Sequence, residues 1–516
     1  MNRFPALRIE HVHTYAGPSV FAQEPVVVAR LTLSPEVMGD AGARIERMSA
    51  VCRAWFDSAH EPGQHPTPLE VGKFVAQWAH AALTEIRGHL HVADAVAEQD
   101  GVLLVLDYHH PDLCLLALEL AAAIFAEIHR CTVQDVAARL SKFLQTCRRH
   151  HPDYQAAILM TAARAAGIPV LPFLQNARCW QYGWGARSRV FMESASTGES
   201  LIGGRLVENK AACKAFLRAQ GLPTPSHVSI DSADELSKAL AHVGFPCVVK
   251  PLQGSKGRGV TAGIDSLERA KTAFHVARHA SPGPVMVEQF LAGDDHRLMV
   301  INGTFAATIR REPPVVVGDG RRSVRQLLAE LNRPRSINLV RSRYLRPIPL
   351  DDFVLECLRA QQATPDFVPA CSQRIKLRTN ANLSSGGVCI DVTESTHPML
   401  KAMVEQAAAS LGLPISDFDY ITTDISRSPW ESGGAFIEAN CMPGLDATIA
   451  AGWSAEQIGR ITLGEGVGRI PVSLFISDSP QAPSELPTGQ RPSLARALRD
   501  EVWIDETVYC VNATEP

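Results

Sequence analysis

Apolar and polar positions along the chain form a pattern that predicts a mixture of strands and helices. Short apolar runs typical of strands occur at 25–33, 101–108, 247–249 and 285–290. Longer runs with a helical period predict helices at 68–86, 113–129, 132–147, 154–166, 210–219, 233–243, 266–280 and 354–361. The alternation is βαβ-like and its strands end in charged residues, which indicates an α+β fold containing a nucleotide-binding unit.

Breaks in this pattern divide the chain into three parts. We expect an N-terminal α/β domain at 1–152 and a larger domain at 153–476, followed by a Ser/Pro-rich linker and a C-terminal tail at 477–516. Within the larger domain we expect a lid at about 210–290 and an insertion at about 331–375, which is rich in Pro, Arg and Gln. A length of 516 residues is sufficient for two or three domains.

Composition narrows the class of protein. A net charge of −4 gives no global attraction to nucleic acid or to anionic membranes, so neither is an expected partner. The 12 cysteines form no CxxC pair, so neither a zinc ribbon nor a disulfide framework is indicated and a reducing cytoplasm is expected. Residues 1–12 lack the apolar core of a signal peptide, and the apolar run at 113–128 contains Glu119 and Glu127 and is too short to span a bilayer.

The stretch CVVKPLQGSKGRGV at 247–260 carries the first candidate chemistry. A short apolar run ends at Lys250, and the loop that follows contains Gly254, Ser255, Lys256, Gly257, Arg258 and Gly259. Glycines let backbone amides approach a ligand closely, and amides together with cations suit a polyphosphate. The spacing is neither GxxxxGK[ST] nor GxGxxG. It predicts a flap over a triphosphate, with a plain β-hairpin as the alternative.

Two further stretches supply candidates for the rest of a nucleotide site. The strand that ends at 288–291 offers backbone groups to an adenine edge, and the acidic pair after it can hold ribose hydroxyls; the alternative is an edge strand that runs into an acidic turn. Two strands near 419 and 438 can bring Asp419, Glu438 and Asn440 to one face, since residues i and i+2 of a strand share a face. These hard oxygen ligands suit Mg²⁺ held jointly with phosphate; a solvated hairpin is the alternative.

Taken together, the spaced elements resemble the ATP-grasp fold, and more narrowly the cyanophycin synthetases. The similar stretches are IEHVHTYAGPSVF, GRLVENKAACK, VVKPLQGSKGRGV, VEQFLAGDDHRLMVINGT, VVGDGRRSV, ANLSSGGVCIDVTESTHP and FIEANCMPG, and they cover most of residues 1 to about 470. The resemblance implies an α+β protein in which a glutathione synthetase-like ATP-grasp fold follows a cyanophycin synthetase-type N-terminal α/β domain.

The resemblance also implies roles for the matching residues. Lys210 and Lys250 look like the lysines that hold the ATP phosphates, beneath a covering loop formed by Gly254, Ser255, Lys256, Gly257 and Gly259. The adenine hinge would be Glu288, Gln289, Phe290 and Leu291, and Asp295 would contact the ribose. The magnesium ligands would be Asp419, Glu438 and Asn440, with Asp424 as the alternative to Asp419. Arg311 and Arg378 resemble the cations that steady the transferred phosphoryl group, and Ser384 and Ser385 belong to the loop that receives the acceptor carboxylate.

Three departures from the family pattern modify these expectations. Only about forty residues follow the ATP-grasp unit, so the family's Mur-ligase-like module is missing and we do not expect this chain alone to make the branched polymer. The HxxEH motif of some members aligns with Lys73, Ala76 and Gln77, so neither zinc nor peptidase activity is expected there. The covering loop has Ser255 and Lys256 where a histidine is common, which leaves the acceptor open. Separately, the tetrapeptide HHPD occurs at 109–112 and again at 150–153, and a solvated turn is expected at each position.

The expected function is an ATP-dependent carboxylate–amine ligase that uses ATP and Mg²⁺ and joins amino acids, or an amino acid and a peptide, through an acyl phosphate. Two alternatives remain: a non-catalytic nucleotide- or peptide-binding relative, and a kinase that stops at phosphoryl transfer. By analogy with the family, a homo-oligomer (a dimer or a tetramer) is expected.

Overall fold

The structure is a computed structural model that describes residues 7–53, 65–85, 88–99, 101–174, 177–254, 257–337, 347–378 and 380–465. Ser255, Lys256 and the predicted tail at 477–516 lie outside the described residues, as does the side chain of Ser384. None of the helices in these ranges combines the length and the apolar character that a membrane-spanning helix needs.

The N-terminal part is a four-stranded antiparallel sheet covered by helices. Its strands are β1 (Leu7–Tyr15), β2 (Val26–Leu33), β3 (Ala93–Glu98) and β4 (Gly101–Asp107), in the order β1-β2-β4-β3. Its helices are α1 (Pro35–Gly39), α2 (Ala41–Cys52), α3 (Pro68–Thr84), α4 (Pro111–Glu127) and α5 (Val133–His150). One hydrophobic core runs from Leu7 to Cys147 and joins the sheet to these helices.

Local sequence signals explain where these helices begin. Thr67 caps α3, because its Oγ1 accepts from the amide of Glu70 while Glu70 Oε2 accepts from the amide of Thr67. Thr132 and Asp135 form the same capping box at the start of α5. Helix α4 begins at Pro111, two residues before the predicted start, since proline fits the first turn of a helix. The sequence pattern did not reveal β1, β3 or α2.

A second layer links this part to the rest of the chain. Helix α6 (Tyr154–Ala165) precedes a four-stranded antiparallel sheet formed by β5 (Val170–Leu174), β6 (Cys179–Tyr182), β7 (Arg189–Met192) and β8 (Ala195–Ser196). The buried residues of α6 form one core with Trp180, Tyr182 and Phe191 of this sheet and with buried residues further along the chain. The domain limits drawn from the sequence stay a prediction.

The predicted lid is a helix pair followed by a four-stranded sheet. Its elements are α7 (Leu201–Glu208), α8 (Lys210–Ala219), β9 (His227–Ile230), α9 (Leu236–Val243), β10 (Cys247–Pro251), β11 (Thr261–Ile264), α10 (Leu267–Ala280) and β12 (Val285–Gln289). The strand order is β11-β10-β12-β9, and every neighbouring pair is antiparallel. Strands joined by a helix are therefore parallel but separated by a third strand, which is a split form of the expected βαβ pattern.

A small unit follows the hairpin of β13 (Asp294–Ile301) and β14 (Thr304–Glu312). It contains β15 (Val315–Val317), α11 (Val324–Ile337), α12 (Asp352–Ala360) and β16 (Arg374–Lys376). Its own core extends from Val316 to Leu377. The insertion predicted at 331–375 is therefore the inner part of a unit that begins about fifteen residues earlier in the chain.

The last sheet has five antiparallel strands in the order β17-β14-β13-β18-β19, formed with β17 (Val388–Asp391), β18 (Ser416–Thr422) and β19 (Ala435–Cys441). The helices of this part are α13 (Pro398–Leu411), α14 (Pro429–Ser432), α15 (Asp446–Ala450) and α16 (Ala455–Leu463). Helix α13 packs its buried face on the sheet, with Leu400, Val404 and Leu411 in one core with Phe418 and Phe436.

Candidate functional site

A cavity of about 250 Å³ lies between the strands β10 and β12 of the lid and the strand β19. It is lined by Lys210, Val248, Lys250, Pro251, Gln253, Gly254, Gly257, Arg258, Val260, Ala262, Glu288, Gln289, Phe290, Leu291, Ile421, Ile437 and Glu438. Lys250 and Glu438, which lie far apart in the sequence, thus face the same cavity. The predicted phosphate lysines, covering loop and adenine hinge are brought together here.

The floor of the cavity contains a buried cluster of three charges. Glu288 is 3% exposed, and its two carboxylate oxygens lie 2.7 Å from Lys214 Nζ and 3.0 Å from Lys250 Nζ. Val248 is the cross-strand partner of Glu288, so the two side chains lie on the same face of the sheet. Lys250 is two residues after Val248 and therefore lies on that face as well. Since one carboxylate balances only one of two ammonium groups, the cluster carries a net positive charge beneath the cavity.

This charge imbalance is reflected in the pKa values. Burial would raise the pKa of Glu288, but the ammonium groups of Lys250 and Lys214 outweigh it, and the pKa lies below its usual value. Burial and the nearby charge of Lys250 lower the pKa of Lys214 to about 8, although Glu288 opposes this shift. The two lysines therefore act in both cases. Their charges favour the carboxylate form of Glu288, and Lys250 disfavours the charged form of the fully buried Lys214.

Lys210 connects the glycine-rich loop to the strand β19. It is the first residue of α8, and its Nζ donates to the carbonyl of Gly254 at 3.1 Å and lies 3.0 Å from Glu438 Oε2. Asn209 caps the helix by accepting from the amides of Ala211 and Ala212. The capped helix start therefore fixes the position of this lysine over the cavity.

The glycine-rich loop depends on glycine at its last position. Gly259 has a φ of +72°, and a Cβ there would lie 2.6 Å from Cβ of Ala280. Gly259 thus packs the base of the loop against α10 rather than lining the cavity, unlike Gly254 and Gly257. Arg258, which follows Gly257, also lines the cavity and adds a third cation to Lys210 and Lys250.

The register of β18 against β19 assembles the predicted metal ligands. Asp419 is the cross-strand partner of Glu438, and Asp417 is the partner of Asn440. Asn440 Nδ2 donates to Asp417 Oδ1 at 2.7 Å, which commits the amide nitrogen and leaves the amide oxygen available. Asp424, the alternative to Asp419, is instead exposed in the turn after β18, where its carboxylate accepts from Ser426.

Two partly buried arginines hold the carboxylates of β18. Arg311 Nη2 lies 2.6 Å from Asp295 Oδ1 and 2.9 Å from Asp419 Oδ2. Arg297 lies 3.2 Å from both Asp419 and Asp417. Burial alone would raise the pKa of Asp419, but the two guanidinium groups keep it below its usual range. Asp417 is fully buried, and its pKa is raised because burial outweighs the charge of Arg297 and the hydrogen bond from Asn440.

Two predicted residues, Arg378 and Ser385, make their described contacts away from the cavity, and Asp295, Arg311, Asp419 and Asn440 do not line it either, although Glu438 does. Arg378 contacts Asp351 through Nη2 at 2.6 Å and lies over the ring of Phe353, so its partners belong to the small unit around α12. Ser385 follows in a short 3₁₀ turn at Leu383–Ser385, where its Oγ donates to Asn380 Oδ1. Neither residue contacts the arginines of β13 and β14 in the described part of the chain.

The N-terminal motifs have structural explanations. Lys73, at the position of the first HxxEH histidine, lies 3.9 Å from Asp94 on the neighbouring strand, and Ala76 is fully buried in the core. The described residues contain no group of three or more His, Cys, Asp and Glu side chains that could hold a metal ion. The two HHPD tetrapeptides pack against each other: His109 stacks edge-on with His151, and His110 with His150. Solvated turns were therefore the wrong expectation for His109 and His151, which are buried.

Comparison with known proteins identifies the fold of this site. Residues 215–300 match the family model of the ATP-grasp domain. The chain carries an ATP-grasp domain. The crystal structure of a bifunctional glutathione synthetase from Pasteurella multocida aligns over 68% of this chain and 50% of that chain, with 24% identity and a TM-score of 0.46. The match to the family model over 215–300 confirms the ATP-grasp fold predicted from the motifs.

The resemblance to cyanophycin synthetases is confirmed as well. The cyanophycin synthetase of Nostoc sp. is 33% identical over 293 residues, which cover 57% of this chain and 32% of that protein. That of Geminocystis herdmanii is 35% identical over 295 residues, 57% of this chain and 34% of that protein. The glutathione biosynthesis bifunctional protein GshAB of Streptococcus mutans is 30% identical over 245 residues, 46% of this chain and 32% of that protein. The matches thus span about a third of the length of these curated relatives and, in this chain, a shorter stretch than the motifs indicated.

Sequence reasoning missed three residues around the ATP-grasp cavity. Lys214 had a usable signal, since it follows Lys210 by four residues and therefore lies on the same face of α8. Asp417 precedes Asp419 by two residues and so shares its face of β18. Arg297 had no such signal, because only the pairing of β13 with β18 places it opposite Asp419.

Proposed function

We propose that this chain is an ADP-forming, ATP-dependent carboxylate–amine ligase. The observation that carries the proposal is the shared cavity, in which Lys210, Lys250, the glycine-rich loop and Glu438 meet although they come from separate segments. The family-model match over 215–300 and the similarity to cyanophycin synthetases support an ATP-grasp ligase rather than another nucleotide-binding class.

ATP is the substrate that this cavity suits. Lys210, Lys250 and Arg258 supply positive charge for the phosphates, and the net positive charge of the cluster beneath them adds to it. Gln289, Phe290 and Leu291 line the same cavity. The amides of Gln289 and Phe290 already donate to the carbonyls of Ser226 and Pro246, so adenine would pair with other backbone groups of this hinge. Asp295 already accepts from Arg311, so a ribose contact requires its carboxylate to be shared, which the four lone-pair positions of a carboxylate permit.

The residues of β18 and β19 fit Mg²⁺. Asp419 and Glu438 are carboxylates on paired positions, and Asn440 is oriented by Asp417 so that its oxygen remains available. Arg297 and Arg311 occupy only part of the acceptor capacity of Asp419. We infer that Asp419, Glu438 and Asn440 hold the ion, which would neutralise charge on the phosphate oxygens when bound.

The reaction follows from these groups. The γ-phosphoryl group passes from ATP to a substrate carboxylate, which gives ADP and an acyl phosphate with a good leaving group. An amine then attacks the acyl carbon, and the collapse of the tetrahedral intermediate forms the amide and releases phosphate and a proton. Arg311, whose Nη2 lies 2.9 Å from Asp419 Oδ2, would steady the oxyanion. The glycine-rich loop, tethered through Lys210 to Glu438, would keep water from the acyl phosphate.

We propose amino acids or short peptides as the substrates, with Arg378, Ser384 and Ser385 near the acceptor. Its relatives include cyanophycin synthetases and a bifunctional protein of glutathione biosynthesis, which supports this substrate class. We propose neither nucleic acid nor a membrane as a partner, because a net charge of −4 gives no global attraction to either. The cysteines of the described residues are all free, which supports a reducing cytoplasm. A homo-oligomer, a dimer or a tetramer, remains part of the proposal by analogy.

The test is a screen of amino-acid pairs for ADP and phosphate release in the presence of ATP and Mg²⁺, with mass spectrometry of the products. We expect at least one pair to yield an amide with one ADP per bond. Glu438→Gln should slow ADP release at least a hundredfold, since losing one group that stabilises developing charge costs on the order of 3 kcal/mol.

Asp424→Asn is the matched control, because Asp424 is an exposed carboxylate in the connection between β18 and β19 and its substitution should leave the rate unchanged within about twofold. Acyl hydroxamate trapping without any amide would instead identify a kinase. Nucleotide binding without turnover for any pair would identify a non-catalytic relative. Full activity in Glu438→Gln would overturn the assignment of the metal ligands.

A further inference from the structure

A second cavity of about 250 Å³ lies between the N-terminal sheet and the strands that follow α6. Its walls come from the end of β4, the segment 89–91, the last part of α6 and the segment 167–172, with Trp180 of β6 behind them. It shares no lining residue with the ATP-grasp cavity. Nothing in the proposed ligase reaction uses it.

The carboxylate of Asp107 is a buried polar group in the wall of this cavity. Asp107 is 3% exposed; its Oδ2 accepts from the amide of His91 at 2.6 Å. Its Oδ1 accepts no hydrogen bond from the described residues, and His80 Nε2 lies 3.8 Å away. Burial raises the pKa of Asp107 to about 7. A buried acceptor without a donor is costly unless a ligand or water satisfies it.

A buried donor borders the same cavity. Trp180 is 1% exposed, and its indole Nε1 donates to no acceptor among the described residues. The indole ring packs edge-on against His109 with ring centroids 5.0 Å apart, so its orientation is fixed. His109 is itself buried and its Nε2 accepts from the amide of His89 at 3.1 Å, which gives this ring a neutral state. Burial and the neighbouring histidines lower the pKa of His109 well below its usual value.

The mouth of the cavity carries both signs of charge. Arg164, in the last turn of α6, and Glu24, before β2, are exposed and line the opening. Between the mouth and the interior the wall is largely apolar, with Leu90, Ile168 and Val170 among its side chains. A volume of 250 Å³ is below the range of about 300–1,000 Å³ typical of drug-sized ligands, so the occupant should be small.

We propose that this cavity binds an α-amino acid, either free or as the first residue of a peptide. The ammonium group would donate to the unpaired oxygen of Asp107. The carboxylate or carbonyl would accept from the indole of Trp180 and face Arg164. A ligand with only one of these groups leaves either the buried acceptor or the buried donor unsatisfied, which is why a molecule carrying both fits best. This proposal stands independently of the ligase proposal.

The experiment is calorimetric titration of the full chain with the common amino acids, their N-acetyl derivatives, their amides and a set of dipeptides. We expect at least one free amino acid or dipeptide to bind with millimolar affinity or better. N-acetylation should weaken binding at least tenfold because it removes the ammonium group. Dipeptides that bind as tightly as the free residue identify a peptide N-terminus as the ligand, and dipeptides that fail identify the free amino acid.

Variants separate this cavity from an amino-acid site in the ATP-grasp domain. Asp107→Asn should weaken binding at least tenfold, whereas Asp112→Asn, an exposed carboxylate five residues along the chain, should leave it unchanged. Trp180→Phe keeps an aromatic ring at this position but removes the indole N–H donor, and it should also weaken binding. Nucleotide binding should be the same in all three variants. Binding that persists unchanged in Asp107→Asn and Trp180→Phe, or no binding across the whole panel, overturns the proposal.

Discussion

Glu288→Gln is the substitution that tests the buried charge cluster most directly. The wild-type carboxylate lies 2.7 Å from Lys214 Nζ and 3.0 Å from Lys250 Nζ, and neither Glu288 nor Lys214 has appreciable contact with solvent. Glutamine keeps the shape and an oxygen acceptor but removes the negative charge. Two ammonium groups would then be buried side by side without compensation. We therefore expect the variant to be less stable than the wild type at pH 7.

The magnitude can be bounded from the structure. Removing one partner of a buried ion pair costs about 3–5 kcal/mol. The pKa of Lys214 is already lowered from its usual 10.5 to about 8 by burial and by Lys250, so this amine is close to losing its proton. A further fall of one pKa unit adds up to about 1.4 kcal/mol and leaves the amine about half neutral at pH 7, so its share of the cost then grows little further. We expect a loss of about 3 kcal/mol.

The pH dependence has a defined sign. Lys214 has a folded-state pKa below its unfolded value, so its penalty is fully present below about pH 8 and is relieved as the pH rises toward 10.5. In the wild type at about pH 9.5, Lys214 is largely neutral before Glu288 is removed. The destabilisation by Glu288→Gln should therefore be smaller at that pH than at pH 7, by about 1 kcal/mol.

Urea denaturation at the two pH values, followed by tryptophan fluorescence, measures these differences through the transition midpoint. Lys214→Met should cost at least about 2 kcal/mol less than Glu288→Gln, since Glu288 then keeps Lys250 as its partner. Glu268→Gln is the matched control: its partner Lys271 is exposed, and we expect a change within about 0.5 kcal/mol. A Glu288→Gln variant within about 1 kcal/mol of the wild type at pH 7, or a penalty that grows with pH, would refute the reasoning.

Three other predictions follow from single contacts. Gly204→Ala should stabilise α7 by up to about 1 kcal/mol, whereas Gly203→Ala should destabilise it by about 1–3 kcal/mol because the new Cβ would lie 2.1 Å from the carbonyl oxygen of Leu411; thermal unfolding of the pair decides. Burial raises the pKa of Asp107 to about 7, so the free energy of unfolding of the wild type should fall by up to about 4 kcal/mol relative to that of Asp107→Asn as the pH rises from 4 to 7. Denaturation across this pH range measures the difference, and equal pH dependences of the two proteins would contradict the prediction. Arg311→Lys should slow ADP release about a hundredfold, because the ammonium group of lysine cannot reproduce the planar guanidinium group that contacts both Asp295 and Asp419. An unchanged rate would remove Arg311 from the reaction.

The sequence predicted the elements whose signals are local. Helix α8 occurs at Lys210–Ala219, as predicted, because a cap residue and a helical period define it without outside contacts. The same holds for the lysine and glycines of the loop after β10, whose spacing is a chain-local property. The ATP-grasp fold could be inferred because several such local motifs occur in a fixed order.

Contacts between distant segments could not be predicted in this way. Arg297 lies opposite Asp419 only because β13 pairs with β18, which are more than a hundred residues apart. Glu288 was predicted to be part of an adenine hinge, and its burial between two lysines depends on the packing of α8 beneath the lid sheet. The antiparallel order of that sheet was hidden for the same reason, since each helix-linked strand pair is separated by a strand from elsewhere.

The pairing of β18 with β19 sets different tolerances for insertions at two neighbouring places. The connection at 423–434 lies outside both strands, and lengthening it by a few residues changes the entropy of loop closure only slightly. One extra residue inside β19 ahead of Glu438 would turn alternate side chains to the opposite surface, so that Glu438 and Asn440 would face away from Asp419 and Asp417. A tag or a reporter peptide is therefore better grafted into this connection than into the strand that follows, where a change in the number of residues moves Glu438 and Asn440 to the opposite face.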